Sequence, residues 1–373
     1  AEALIGFRDD RTRDLVHHTL LSLGEAAIEP VWNLIAEQGE AEVRILGIRL
    51  LPDLLERAGR ADAGAVHRLC DHTRRVEPGP AFDQERGEVL AAAARLAVSL
   101  GDGDLSRQVD DLLVQAGDCA ATGLGWIASG PACDPVRRSA IVDQLLGGIT
   151  EELPDTPLVS TVDEVSEAAT FVIDTQLGRH TERVPILLLA LERIGASPHL
   201  PQPILRHLVD RLCAQWKRVS AWEIVWGPGN IVELGRVLGS LATRDHVPLN
   251  LRVRICEALL PRISQLGVAR SLAEIVAAAE PGYLSDLAGR AAARLLALVA
   301  RGQFADDETE DLADTLTVFL SITDLGSEGA QLHRRLAAQL GQMKARIPQR
   351  ARARLRAALP HMEAALKERL DWV

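Results

Sequence analysis

An Arg-led apolar phrase recurs along this chain, and its spacing leaves few folds open. The clearest copy occupies residues 249–267 (LNLRVRICEALLPRISQLG). Leu251, Ile255, Ala258, Leu259, Ile263 and Leu266 follow the i, i+3, i+4, i+7 spacing of one helical stripe. Arg252, Glu257, Ser264 and Gln265 lie largely off it. A related phrase stands at 43–59 (VRILGIRLLPDLLERAG), with the same Leu-Leu-Pro inside it. Looser copies occupy 85–100 (ERGEVLAAAARLAVSL) and 289–300 (GRAAARLLALVA). Such repetition predicts an all-α chain of stacked helix pairs, an α-solenoid or α-α superhelix. No stretch alternates with period two for long enough to predict a strand.

The side-chain inventory fits thin helical layers. Hydrophobic residues make up 47% of the chain but aromatics only 3%, so burial rests on Leu, Ala, Val and Ile. The longest apolar stretches, such as 184–191, fall far short of a membrane span, and no membrane partner is expected. Cys70, Cys119, Cys133, Cys213 and Cys256 are scattered, odd in number and never form a CxxC pair. That pattern argues against a disulfide framework or zinc site and for a reducing, cytoplasmic setting. The N-terminus shows no signal peptide; it lacks Met and opens mid-phrase, as a fragment of a longer protein would.

Taken in order, residues 8–37, 40–75 and 81–116 read as three helix pairs of about 35–40 residues each. The first is broken at Gly24, and Asp104 and Asn230 read as helix caps beside glycine-rich turns. Residues 1–150 form a first set of repeats. Residues 151–229 form a less regular set that follows an acidic, proline-containing loop. Residues 230–373 form a last set with a basic end, all in one continuous solenoid.

The stretches RDDRTRDLVHHTLLSLGEAAIEPVWNLI and EAEVRILGIRLLPDLL resemble the HEAT repeat family, in particular its bacterial HEAT-like type. Val43-Arg44 and Leu251-Arg252 match the family's Val-Arg position, and Leu23-Gly24 and Leu266-Gly267 its closing Leu-Gly. Pro52 and Pro261 resemble the proline that bends a repeat's first helix. The resemblance covers roughly residues 4–116 and 247–345 and implies an armadillo-like solenoid rather than any one activity.

Two stretches stand out as partner-binding candidates. Trp216, Trp222 and Trp226 fall within eleven residues of an aromatic-poor chain, with Trp222 and Trp226 on one helix face. They read as packing at an irregular junction or, if exposed, as contact anchors. Lys344, Arg346, Arg350, Arg352, Arg354 and Arg356 make a basic run without an acid, in a chain whose net charge is −11. This run reads as a solvated helix face or as a site for a phosphate-rich ligand or an acidic protein. Residues 306–314 (DDETEDLAD) are its acidic counterpart, read as favouring a helix N-terminus.

His67, Cys70 and His72 share a predicted helix but lack a fourth ligand, so no metal is expected. No HExxH, phosphate loop or nucleophile elbow occurs, and neither a cofactor nor catalysis is expected. The resulting expectation is a protein–protein interaction scaffold or accessory subunit. Nucleic-acid binding through the basic end is the alternative, and a lyase-type accessory enzyme, by analogy with HEAT-like lyase subunits, comes last.

Overall fold

The computed structural model describes residues 18–36, 40–76, 82–150, 183–219, 223–280, 282–305, 308–362 and 364–370. They are overwhelmingly helical, with no strand among them. The chain divides into two compact units, Ala1–Glu152 with Ile186–Ile204, and Leu153–Pro185 with Leu205–Val373.

In the first unit, α1 (Ile28–Ala36), α2 (Ala41–Arg57), α3 (Ala63–Arg75), α4 (Asp83–Ser99), α5 (Gly103–Ala116), α6 (Ala121–Ser129) and α7 (Pro135–Thr150) precede α8, residues 183–196, which belongs to this unit from Ile186 on. Most helices pack on a sequence neighbour, and the helices of one layer also pack on the next but one. Thus α2, α4 and α6 stack as one layer, and α3 and α5 lie in the other. The second unit repeats the arrangement with α9 (Gln202–Val219), α10 (Glu223–Ala242), α11 (Leu249–Leu259), α12 (Leu266–Ala278), α13 (Ser285–Ala300), α14 (Thr309–Ser321), α15 (Gly329–Gln342), α16 (Gln349–Ala358) and α17 (Ala364–Arg369). Here α10, α12, α14 and α16 form one layer, and α13, α15 and α17 stack in the other. This two-layer, neighbour-on-neighbour packing is solenoid-like, as the repeated phrase predicts.

Local chemistry places the breaks. Gly24 takes φ +56 and ends the helical residues 18–23. Asp62 caps α3 by accepting from Ala65 N at 2.8 Å, and Asp134 caps α7 by accepting from Val136 N at 2.8 Å. No helix among the described residues is long and apolar enough to cross a membrane.

Three local expectations are corrected. The cap of α5 is Asp102, which accepts from Asp104 N and Leu105 N at 2.9 and 3.1 Å; Asp104 lies inside the first turn and pairs with Arg107. Asn230 is no cap: α10 runs straight through Gly-Pro-Gly-Asn, and Asn230 is itself buried at the head of the buried stripe Ile231, Leu234, Val237, Leu238 and Leu241. The two Leu-Leu-Pro copies also part company. Pro52 sits inside α2, but Pro261 opens a 3₁₀ turn, Leu260–Arg262, and Leu266-Gly267 starts α12 instead of closing the phrase. Arg294 Nη2 donates to Pro261 O at 2.9 Å, satisfying a carbonyl the break releases.

Several polar bonds between repeats share a separation of about forty residues, although others are as short as 27, as from Arg137 to Asp110. Arg44 reaches Glu85, Arg49 reaches Glu88 and Arg95 reaches Asp53, spans of 41, 39 and 42 residues. In the second unit Ser285 reaches Asp324, Arg350 reaches Asp311 and Arg354 reaches Asp314, spans of 39, 39 and 40. The period visible in the apolar phrase is therefore also written in charge.

Arg44 and Glu85 form the most buried of these rungs, at 16% and 2% exposure. Arg44 Nε and Nη2 donate to the two carboxylate oxygens at 2.8 and 2.6 Å, and His72 Nε2 lies 3.3 Å from Oε1. Burial pushes the Glu85 carboxyl up, but the Arg44 and His72 hydrogen bonds outweigh it and hold the pKa below its ordinary value. A depressed carboxyl stabilises the fold above its unfolded pKa, near 4.5, and that stabilisation is lost as pH falls through the lower folded value. Arg44→Gln is expected to move the acid unfolding limb, followed by circular dichroism, to higher pH. An unchanged limb would show that the rung does not govern acid stability.

Candidate partner-binding surface

The two charge runs of the second unit turn out to face each other. Arg350 Nη2 donates to Asp311 Oδ1 at 3.0 Å, and its Nε lies 3.2 Å from Asp314 Oδ2. Arg354 Nη1 reaches Asp314 Oδ1 at 3.2 Å, and Arg270 Nη2 stands 3.5 Å from Oδ2. Arg346 Nη1 donates to Thr309 Oγ1 at 3.3 Å. Arg352 Nη2 donates to Lys344 O eight residues back, as Arg252 Nη2 does to Arg244 O, each fastening the turn before its helix. The basic and acidic runs are thus largely one interface between neighbouring helices, with Lys344 and Arg356 exposed at its margin.

Of the tryptophans, Trp216 is buried, donating from Nε1 to Ala258 O at 2.9 Å with the Arg262 guanidinium 5.1 Å from its ring centroid. Trp222 lies outside the described residues, and Trp226 is described only as a helical position of α10. Cys70 is buried, its thiol pushed up by desolvation, and His72 turns to Glu85. Among the described residues no group of three or more His, Cys, Asp or Glu side chains is arranged to hold a metal ion.

A surface that the sequence does not advertise lies in the first unit, along the layer of α2, α4, α6 and α8. Small residues in α6 (ATGLGWIAS) bring α8 unusually close: a Cβ on Gly125 would stand 2.9 Å from Ala190 Cα. That approach sets Arg193 of α8 over Trp126 of α6, guanidinium carbon to ring centroid 3.9 Å. Arg95 of α4 lies over the same ring at 5.6 Å, and its Nη2 reaches Asp53 Oδ1 and Glu56 Oε2 of α2 at 2.5 Å each. One polar chain therefore crosses four successive helices of the layer.

The two arginines differ in compensation. Burial pulls the Arg95 guanidinium down, but hydrogen bonds to Glu56 and Asp53 raise it above its ordinary value. Burial and the neighbouring Arg95 charge lower Arg193. Its Nη1 is buried without a hydrogen-bond partner, and among the described residues no carboxylate pairs with it. Next to it on the same helix, Ile186 and Leu189 stand 47% and 44% exposed, at i−7 and i−4 from Arg193.

The chain matches no protein-family model and no curated protein. The functional reading therefore rests on surface chemistry.

The second unit adds clefts between successive interhelical loops. One of about 520 Å³ is lined by Asp245, Leu249, Glu280 and Tyr283, the only tyrosine of the chain, 59% exposed. Its Arg252 already holds the carbonyls of Val247 and Arg244, at 2.9 and 2.8 Å. A second cleft of about 310 Å³ lies between the following two loops.

No local motif marks the Trp126 surface. Trp126 and Arg193 are 67 positions apart, and Ile186 and Leu189 sit inside the apolar run ILLLALE, which reads as core throughout. The available signal is a lone Trp set among glycine and alanine, the composition of a helix that another approaches closely.

Proposed function

We propose that this protein is a non-catalytic interaction protein built of HEAT-like helix pairs, binding a partner protein along its helical layers as a scaffold or accessory subunit. The reading is carried by the Trp126 surface: a partly exposed indole, two arginines over it, and exposed Leu189 and Ile186 beside it. Trp and Arg dominate interface hot spots, and exposed aliphatic residues next to them supply area that a partner can cover. The free cysteines suit a reducing compartment such as the cytoplasm.

Nucleic-acid binding through the basic end has less to stand on. Arg350 and Arg354 face Asp311 and Asp314, and a phosphate backbone would have to compete with those carboxylates.

The test is co-purification of the tagged protein from its source cell, with and without nuclease. A nuclease-resistant partner at near one-to-one ratio is expected, and Trp126→Ala is expected to weaken its binding by at least about 2 kcal/mol with helicity unchanged. Recovery of nucleic acid alone, or a partner indifferent to Trp126→Ala, overturns the reading.

A further inference from the structure

We infer that the Trp126 surface takes an acidic–apolar segment of a partner protein, seating a carboxylate at Arg193 and an aliphatic or aromatic side chain on Leu189 and Ile186. This rests on the interaction-surface reading above and adds the chemistry of the partner.

Three observations converge. First, Arg95 is held in ion pairs by Asp53 and Glu56, whereas Arg193 makes no ion pair among the described residues, Glu192 acting on it only through space. Second, no hydrogen bond or ion pair among the described residues engages the Arg193 side chain, which is only half-buried, so an oxygen arriving at its exposed part gains a charge-assisted bond without displacing an existing one; the closed-off Nη1 takes no part. A solvated surface arginine offers no such gain. Third, the guanidinium is followed along α8 by apolar surface that water covers at a loss, in line with it.

The spacing defines what fits. Leu189 and Ile186 lie four and seven residues from Arg193, about 6 and 10 Å along the helix axis. A partner helix carrying Asp or Glu at one position and Leu, Ile or Phe three, four or seven positions away spans the same distances. A nucleobase is a poorer occupant, because the Arg193 guanidinium already lies 3.9 Å over the Trp126 ring where a base would stack.

The experiment selects random sixteen-residue peptides by phage display on the immobilised full chain. The best peptides are then measured by fluorescence anisotropy against wild type, Arg193→Gln, Arg193→Lys, Trp126→Ala and the exposed control Arg107→Gln. Enriched peptides are expected to carry the acid-to-apolar spacing above. Arg193→Gln should weaken them at least tenfold, in line with roughly 10- to 150-fold for a hydrogen bond to a charged group. Changing the peptide's acid to its amide should cost the same factor, with no further loss when both changes are combined. Arg193→Lys should fall between, keeping charge but losing the fork. The melting temperature of Arg193→Gln should change little, since losing the stack on Trp126 offsets removing a half-buried charge that has no ion-pair partner.

Peptides that need Trp126 but bind Arg193→Gln as well as wild type overturn this inference and leave the interaction surface standing. Peptides indifferent to both residues, or no enrichment at all, overturn both.

Discussion

Replacing Arg350 and Arg354 together by alanine is expected to destabilise the second unit by about 3 kcal/mol, more than removing the carboxylate they share. Asp314 is 1% exposed, whereas Arg270, Arg350 and Arg354 are 36%, 57% and 39% exposed. Taking away the arginines leaves a buried anion with only Arg270, at 3.5 Å, to answer it. Taking away Asp314 leaves three cations that water reaches, so Asp314→Ala is expected to cost only about 1–2 kcal/mol. Urea unfolding followed by circular dichroism measures both. If the double arginine variant proves the milder, the carboxylate is not the buried partner that its surroundings indicate.

Gly289 carries the second large effect. It sits in α13 where a Cβ would press into the carbonyl oxygen of Leu325 and touch Leu332 Cδ1, and backbone does not yield as a flexible side chain does. Gly289→Ala is expected to destabilise by about 2–3 kcal/mol as overpacking forces two repeats apart. Gly267, in the first turn of α12, provides the contrast. A Cβ there meets only Val232 Cγ1 at 3.6 Å, ordinary contact, so Gly267→Ala is expected to stabilise by roughly 0.5 kcal/mol through lost chain freedom when unfolded. Melting temperatures moving in opposite directions would bear this out; two shifts of the same sign would not.

Much of the fold is legible from one phrase because a helical stripe needs only local spacing. Leu251, Ile255, Ala258, Leu259 and Ile263 are buried, as their periodicity requires, whereas Leu266, the last position of the same stripe, is half-buried and starts α12. Local chemistry misleads where burial overrules it. Gly-Pro-Gly-Asn looks like a stop, yet α10 continues through it into a buried apolar stripe. The same Leu-Leu-Pro continues α2 and ends α11. The charge runs mislead for a related reason: each is read alone, and only packing sets Asp311 and Asp314 before Arg350 and Arg354. The Trp126 surface is harder still to read. Its members come from four helices, and its informative property, an arginine stacked on Trp126 without an ion-pair partner among the described residues, is a relation that no single stretch contains.

The span of those six rungs, 39 to 42 residues, bears on how such a structure gives way. Bonds that join each layer only to the next are links in series, so a load pulling along a unit is carried whole by every interface in turn. The weakest interface then sets the strength, and a fault in one repeat is not shared out among the rest. Such an array yields by peeling, releasing chain in instalments of about forty residues, each roughly 130 Å when fully drawn out. Repeats beyond the break keep their own contacts and stay ready to close again.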